Sequence, residues 1–415
     1  MTEHADPIAH SLDTYVSASR VADLTAALIR CDTSNPPGDE RAVIALLVDT
    51  LTEAGFTTTI FDASPARPSV LATAGPVDGS APIILVNGHI DVVPARREEW
   101  QADPFEGVIE TDRVVGRGAC DMKGGIAAAI EGFRACRDAD VAIDCGIVFH
   151  LVADEETGGQ FGTIALADAG LIVADACIIP EPNELHVGIA ERGTLIAEIE
   201  VEGRAVHGSD PARGHSAIAD AARIVTDLHL ADFSGPVHPL LGQPSCNVGT
   251  IVGGTASNVV ASRCTVTVDR RTLPGQDPTQ VTESLTDKID RLDPPVSYGI
   301  RTRAFVEASE LTADHPFTRY MTRTALGRSG TATVAGSLLG SDARILRNRL
   351  GIPTVIYGPG SMTDAHTADE WVGIDDLVRA ATTFARVFAS FGSQTLTREL
   401  TDSLDADTYP CHTVD

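Results

Sequence analysis

The chain has 415 residues, 43% of them apolar and 5% aromatic, with a formal charge of -27; these values fit a globular protein of two domains, or one domain carrying a large insertion. That charge argues against nucleic acid or an anionic membrane surface as partner, because both need a basic patch. No run of about 18 apolar residues is present to span a membrane, and the first residues lack the basic and apolar regions of a signal peptide. We therefore expect a cytoplasmic chain. The eight cysteines form no C-x-x-C pair, which argues against a disulfide framework or a cysteine-based zinc knuckle. Lysine is almost absent, and the scattered arginines read as compositional bias.

In chain order, residues 19–31 and 40–54 are apolar at helical spacing, the second ending at Gly55, a residue suited to the C′ position. Short apolar runs follow at 57–61 and 69–72, then a continuous one at 83–86 that ends in Asn87-Gly88-His89-Ile90-Asp91. The spacing predicts a small-residue helix over 122–136, a buried strand over 146–152, a helix over 163–169 and a strand over 176–179. Helices alternating with continuous apolar strands imply an α/β sheet covered on both faces. From about Arg192 the pattern changes: Leu195, Ala197, Ile199 and Val201 fall on one face of a half-exposed strand. A helix over 216–228, strands near 247–252 and 263–269, a helix over 278–292 and a strand near 298–303 complete β-α-β-β-α-β, the order of a ferredoxin-like sandwich. The α/β pattern then resumes with a helix near 316–326, a strand at 354–357 and a helix over 376–391. The expected organisation is a catalytic domain, residues 1–191 and 305–415, split by an inserted smaller domain, residues 192–304, with a polar tail fraying after Gln394.

Five segments place His, Asp and Glu at the ends of predicted strands or just beyond them, the edge where ligands gather in open α/β sheets. They are Gly88-His89-Ile90-Asp91-Val92-Val93-Pro94, Cys120-Asp121-Met122-Lys123-Gly124-Gly125, Asp154-Glu155-Glu156-Thr157-Gly158-Gly159, Pro180-Glu181-Pro182-Asn183 and the run from Asp364 to Glu370 that holds His366. A hydrolase with two divalent ions needs about two ligands for each ion, one shared carboxylate, and a further carboxylate to take a proton from water. That inventory closes with His89 and Glu181 on one ion, Glu156 and His366 on the other, Asp121 bridging and Glu155 as the base. Asp91, two residues beyond His89, is placed to accept from the second ring nitrogen and fix the tautomer. Adjacent Glu155 and Glu156 reach different partners only if a turn splays them, and Gly158 and Gly159 permit close backbone approach there.

Taken together and in this order, the segments resemble those of the acetylornithine deacetylase / succinyl-diaminopimelate desuccinylase / aminoacylase / glutamate carboxypeptidase family of dinuclear zinc hydrolases. The resemblance covers nearly the full length, and it rests on 88–94, on Gly-Arg-Gly-x-x-Asp-Met-Lys-Gly-Gly at 116–125 and on Asp-Glu-Glu-Thr-Gly-Gly at 154–159. It implies a mixed-sheet catalytic domain whose ferredoxin-like insertion is lid and dimer interface, and the same ligand assignment. It also implies a cis peptide after Asp121. His207 matches a histidine that reaches the partner subunit's site and stabilises the oxyanion, Asn258 an asparagine near the same place, and Arg271 an arginine that pairs with the substrate carboxylate. Arg192 and the segment Gly340-Ser341-Asp342-Ala343-Arg344 are further candidates for substrate contact.

The implied activity is removal of the acyl group from an N-acyl amino acid by metal-activated water in a homodimer, with zinc favoured by the mixed imidazole and carboxylate donors and cobalt able to substitute. A carboxypeptidase or dipeptidase acting on short peptides is the alternative within the class. An inactive dimeric binding protein is the alternative outside it, and that reading predicts lost ligands, whereas none is missing here.

Overall fold

The computed structural model describes residues 12–233, 235 and 237–393; the expected fraying after Gln394, the reading of the first residues and Cys411 lie outside the described residues. The chain folds as two compact units, one of Met1–Ile189, Leu311–Ala335 and Ile345–Asp415, the other of Ala190–Glu310 and Gly336–Arg344. Among the described residues no helix is long and apolar enough to cross a membrane.

The first unit is built on a sheet whose strands run in the order Thr57–Asp62, Pro68–Ala74, Gly146–Val152, Ile83–His89, Ala176–Ile179, Thr354–Ile356 and the start of Val187–Glu191. Pairing is antiparallel at the flanks and parallel across the four central strands. Ile83–His89 and Gly146–Val152 are buried along their whole length, as continuous apolar runs without alternation require. Because the four run the same way, their C-terminal ends share one edge: His89 lies opposite Val152, and Ile356 opposite Ile179. Every segment with candidate ligands except the Asp121 turn leaves the sheet from that edge.

The helix Gly124–Asp138 is buried on nearly all sides, and its glycines make that possible. A Cβ on Gly132 would stand 2.6 Å from the Ala381 carbonyl oxygen and 2.7 Å from Phe384 Cβ, in the facing helix Ile374–Ser390. Phe56, Phe133, Phe149, Phe384 and Phe388 form a chain of tilted and edge-on rings beside it, geometries that aromatic quadrupoles favour. Upstream, Ser17 caps the helix Ala18–Ile29 by accepting from the Arg20 amide, and Gly55 ends Arg41–Ala54 in the left-handed region with φ 100°. The central helix starts at Gly124, two residues later than its spacing predicts, because Asp121 and Met122 have non-helical backbone angles and the peptide between them is cis. The sequence reading also passed over the short strand Val187–Glu191, whose five residues carry too little periodicity to stand out.

In the second unit Gly193–Glu202, Ser245–Gly253, Arg263–Thr272 and Tyr298–Val306 form an antiparallel sheet, and the helices Ala217–Leu228 and Pro278–Ile289 supply the α elements. The spatial order, second strand, third, first, fourth, is that of a ferredoxin-like sandwich. Leu195, Ala197, Ile199 and Val201 point into its core with Val266, Val268, Ile224 and Leu285. Residues 336–344, expected with the second catalytic segment, belong to this unit. The amide and hydroxyl of Ser341 both donate to the buried Glu191 carboxylate, at 2.9 and 2.7 Å, and that tether is not visible as any periodicity.

His150 sits inside the central sheet, 3% exposed, and its Nδ1 has no hydrogen-bond partner among the described residues. Burial pushes its pKa down to about 4 from the ordinary 6.5. Between those values the unfolded chain binds a proton that the folded chain refuses, so the stability due to a neutral His150 is full above the unfolded pKa and is lost as pH falls toward the folded one. In urea denaturation, the stability lost between about pH 7 and about pH 5 should be smaller by about 2 kcal/mol in His150→Leu than in the parent chain. An equal loss in both proteins would contradict this account.

Candidate active site and metal centre

Four turns at the sheet edge and the Asp121 turn bring the predicted side chains together. His89 Nε2 lies 2.9 Å from Asp121 Oδ1 and 3.3 Å from Glu181 Oε1. On the other side, His366 Nε2 is 3.2 Å from Asp121 Oδ2 and 3.2 Å from Glu156 Oε1. One carboxylate thus faces an imidazole with each of its oxygens, as a bridging ligand must. His89, Asp121 and Glu156 offer ligand atoms within 4.8 Å of one another, and so do His89, Glu155 and Glu181. Glu155 therefore stands at the same centre as the five groups read as ligands.

The charges show what such a cluster lacks. Asp121, Glu155, Glu156 and Glu181 gather around two imidazoles. Burial and the Asp121 charge raise the Glu156 carboxyl and push Glu181 up to about 8. The bonds to Asp121 and Glu156 lift His366 to about 10. Burial opposes a charged His89, yet Glu181 and Asp121 outweigh it and hold that ring well above its ordinary pKa. Burial likewise opposes an ionised Asp121, and the two imidazoles overcome it. Four carboxyl groups around two imidazoles hold one another's ionisation back, so the donor set suits added cations. Imidazole nitrogens with carboxylate oxygens, no thiolate among them, match divalent metals of the zinc, cobalt or manganese type.

Asp91 acts differently from the sequence expectation. The atom within hydrogen-bonding distance of His89 Nδ1 is the Asp91 main-chain carbonyl, at 2.9 Å, while the carboxylate stands 3.6 Å away. The carboxylate instead accepts the amides of Glu155 and Glu156, both at 3.2 Å. The ring tautomer is still set, by the carbonyl, and the side chain is left to hold the turn. That turn opens at Asp154 with φ 73° and closes at Gly158 with φ 113°, which fans out the two glutamates.

Two supports were missed by the sequence reading. Glu370 Oε1 accepts the amides of Cys120 and Asp121 at 2.9 and 3.0 Å, and its other oxygen pairs with buried Arg117. Arg117 lies over the Trp100 ring, 5.2 Å from its centroid. Asn35 and Arg67 reach Asp91 and Asp154. Asn35 and Arg67 lie far from the motifs, with no spacing to tie them in; Arg117 and Glu370 lie inside two of the motif segments, where nothing local shows that they pair. Cys120, immediately before Asp121, is a buried thiol on the Ser361 carbonyl and is pushed well above its ordinary pKa by burial, which makes it inert.

The remaining predicted residues lie in the second unit. His207 and Asn258 are exposed on adjoining segments, joined where the Gly208 amide donates to the Asn258 carbonyl at 2.7 Å. The Ser209 amide donates to His207 Nδ1 at 3.1 Å, so in the neutral ring the proton sits on Nε2, ready to be donated. Arg271 pairs with Asp269. The Arg192 guanidinium donates to the Leu241 and Gln243 carbonyls, which ties a loop of its own unit.

A family model for peptidase family M20/M25/M40 matches residues 85–390. The chain belongs to that family. Among characterised relatives, acetylornithine deacetylase of Myxococcus xanthus is 34% identical over 332 residues, 78% of this chain and 83% of the relative. Succinyl-diaminopimelate desuccinylase of Methylobacterium nodulans is 31% identical, covering 89% of this chain and 95% of the relative. Human carnosine dipeptidase 1 has the same fold, with TM-score 0.72 at 17% identity over 96% of this chain and all of that one. The M20 chain is thus a hydrolase of a metal-dependent family with a candidate metal cluster at its sheet edge.

One close contact in this M20 site is open to test. A Cβ on Gly125 would fall 2.0 Å from the Pro180 carbonyl oxygen, immediately before Glu181. Neither backbone can yield without moving a ligand. Gly125→Ala should lower unfolding free energy by about 1–3 kcal/mol and weaken metal binding in calorimetric titration; unchanged affinity would show that Glu181 is not held through this contact.

Proposed function

We propose that the chain is a metal-dependent amidohydrolase that removes the acyl group from an N-acyl amino acid. The observation that carries the reading is the meeting of His89, Asp121, Glu156, Glu181 and His366 around one centre, with Glu155 beside them. His89 and Glu181 would hold one divalent ion, His366 and Glu156 a second, and Asp121 both. Once bound, the ions, zinc by preference and cobalt as a substitute, would acidify a water toward neutrality and polarise the amide carbonyl.

The chain's own groups do the rest. A carboxylate oxygen of Glu155 takes one proton of the attacking water and returns it to the nitrogen of the leaving amine, while the water's other proton stays on the new carboxyl, so the scission ends in a carboxylic acid and a neutral amine. His207, whose Nδ1 accepts from the Ser209 amide, presents Nε2 as a donor and is assigned to the carbonyl oxygen in the partner subunit's site, where charge builds. Asn258 is assigned to the same oxygen, and Arg271 to the substrate's free carboxylate, for which a planar guanidinium offers two parallel donors. We assign these three from the family pattern. A homodimer is part of the proposal: Ser245–Gly253 is an edge strand with Ile251 and Val252 exposed, a surface that pairing would cover.

In zinc-loaded protein, Glu155→Gln should leave about two ions per chain by elemental analysis and reduce kcat by roughly 100- to 10,000-fold. Activity near the parent's would remove Glu155 from the base role. N-acetyl, N-succinyl and N-formyl amino acids tested beside dipeptides then identify the leaving group. Turnover confined to dipeptides would replace the deacylase reading with the peptidase one.

A further inference from the structure

Residues 33–40 take no part in the hydrolytic constellation, yet they run alongside it. The Thr33 hydroxyl donates to the Ile90 carbonyl at 2.6 Å, the Val92 amide donates to the Thr33 carbonyl at 3.2 Å, and the Asn35 amide donates to the Val92 carbonyl at 2.8 Å. This zipper brings the Asn35 side chain against Asp91. Its Nδ2 lies 2.8 Å from Asp91 Oδ2, 3.3 Å from Asp154 Oδ1 and 3.1 Å from Thr157 Oγ1. Arg67 approaches from the opposite end, with Nη2 2.9 Å from Asp154 Oδ1 and Nε 2.9 Å from Glu40 Oε2. Asn35, Asp91, Asp154, Glu40 and Arg67 are all buried.

We infer that Asn35 and Arg67 are positioning residues for Glu155, acting through Asp91 and Asp154 on the turn that carries it. The inference rests on the proposed function in taking Glu155 as the base. The Asp91 carboxylate can serve the Glu155 and Glu156 amides together only in one rotation about its Cβ–Cγ bond, and Asn35 fixes that rotation from behind. Asp154 adopts a left-handed backbone, uncommon for a residue with a side chain. Its carboxylate is anchored by Arg67, Asn35, the Thr157 hydroxyl and the Phe161 amide. Neutral Asn35 is the right chemistry between two carboxylates, since an aspartate there would add a like charge. Arg67 must meet two acceptors on different residues, which a planar fork does and a single ammonium does poorly.

The test uses the full chain loaded with zinc and an N-acyl amino acid that the parent hydrolyses. Asn35→Ala and Arg67→Gln should lose roughly 10- to 100-fold in kcat, with KM within about threefold and zinc content unchanged, a pattern that marks a misplaced group and not weakened binding. Amide exchange at Glu155 and Glu156 should quicken while Gly146–Val152 stays protected, and Arg67→Lys should recover part of the loss. If Asn35→Ala does not fold, Asn35→Ser, which keeps a single donor, carries the same measurements. A kcat within about twofold of the parent with unchanged exchange at the turn overturns the inference, as does a loss that appears only with uniformly faster exchange throughout the chain. A parent chain that hydrolyses nothing defeats the functional reading instead, and the exchange measurement on metal-free protein still decides whether Asn35 and Arg67 hold the turn.

Discussion

Four carboxylates cannot be held within a few ångströms of one another unless the backbone beneath them is unwilling to move. Two unit charges 4 Å apart repel by about 4 kcal/mol at an effective dielectric constant of 20, and Asp121 with Glu156, and Glu155 with Glu181, bring carboxyl oxygens within 4.8 Å. The parallel centre of the sheet gives the first answer by aligning strand ends in register. The second lies in how the turns are tied down. Each presents successive main-chain amides to one buried carboxylate, Asp91 below Glu155 and Glu156, and Glu370 below Cys120 and Asp121. Beneath them the acids are partnered in turn: Arg117 pairs with Glu370 and Arg67 with Asp154 and Glu40, while Asp91 accepts from the neutral Asn35 amide. The site is a layer of acids awaiting cations, resting on a layer of acids that already has them.

The visible and hidden parts of this arrangement divide along a physical line. Buried central strands leave continuous apolar runs, and a ligand at a strand end stands beside the run that positions it, so His89, Glu155, Glu156 and Glu181 are legible from local context. Asp121 and His366 lie on turns, and only their company in the inventory singles them out. Asn35 and Arg67 have no such company. Their partners stand 119 and 87 residues away, and a hydrogen bond between distant segments leaves no period in either. Asp91 falls between the two cases. Its closeness to His89 was readable, but whether carbonyl or carboxylate meets the ring depends on a turn that only the fold supplies.

The ferredoxin-like unit was legible for the opposite reason. Its strand Gly193–Glu202 alternates buried and exposed positions, and one face of that alternation fills a core of its own. The segment 336–344 escaped because its attachment is polar: Ser341 on Glu191 is a pair of hydrogen bonds to one buried carboxylate, with no hydrophobic period to betray it. Arg192 illustrates the same limit. Its guanidinium meets acceptors of Leu241, Gln243 and Ser245, about fifty residues away in the chain, and nothing in its local sequence signals them.

The scarcity of lysine can now be weighed residue by residue. At Arg67 and Arg117 the guanidinium is required by geometry, because each meets acceptors on two different residues and each lies against an aromatic ring, Phe161 or Trp100. Bias alone would place arginine there, but lysine could not replace it without giving up one acceptor. Lys123 is the converse case. It is buried, its ammonium donates to the Cys31 carbonyl at 2.8 Å, and burial lowers its pKa to about 8. Gly118 gives that side chain its passage, since a Cβ there would come within 3.1 Å of Lys123 Cδ. A compact point charge on a flexible stem suits that narrow path, as a broad planar group does not. Composition sets which cation is common across the surface; at these buried positions the shape of the space decides.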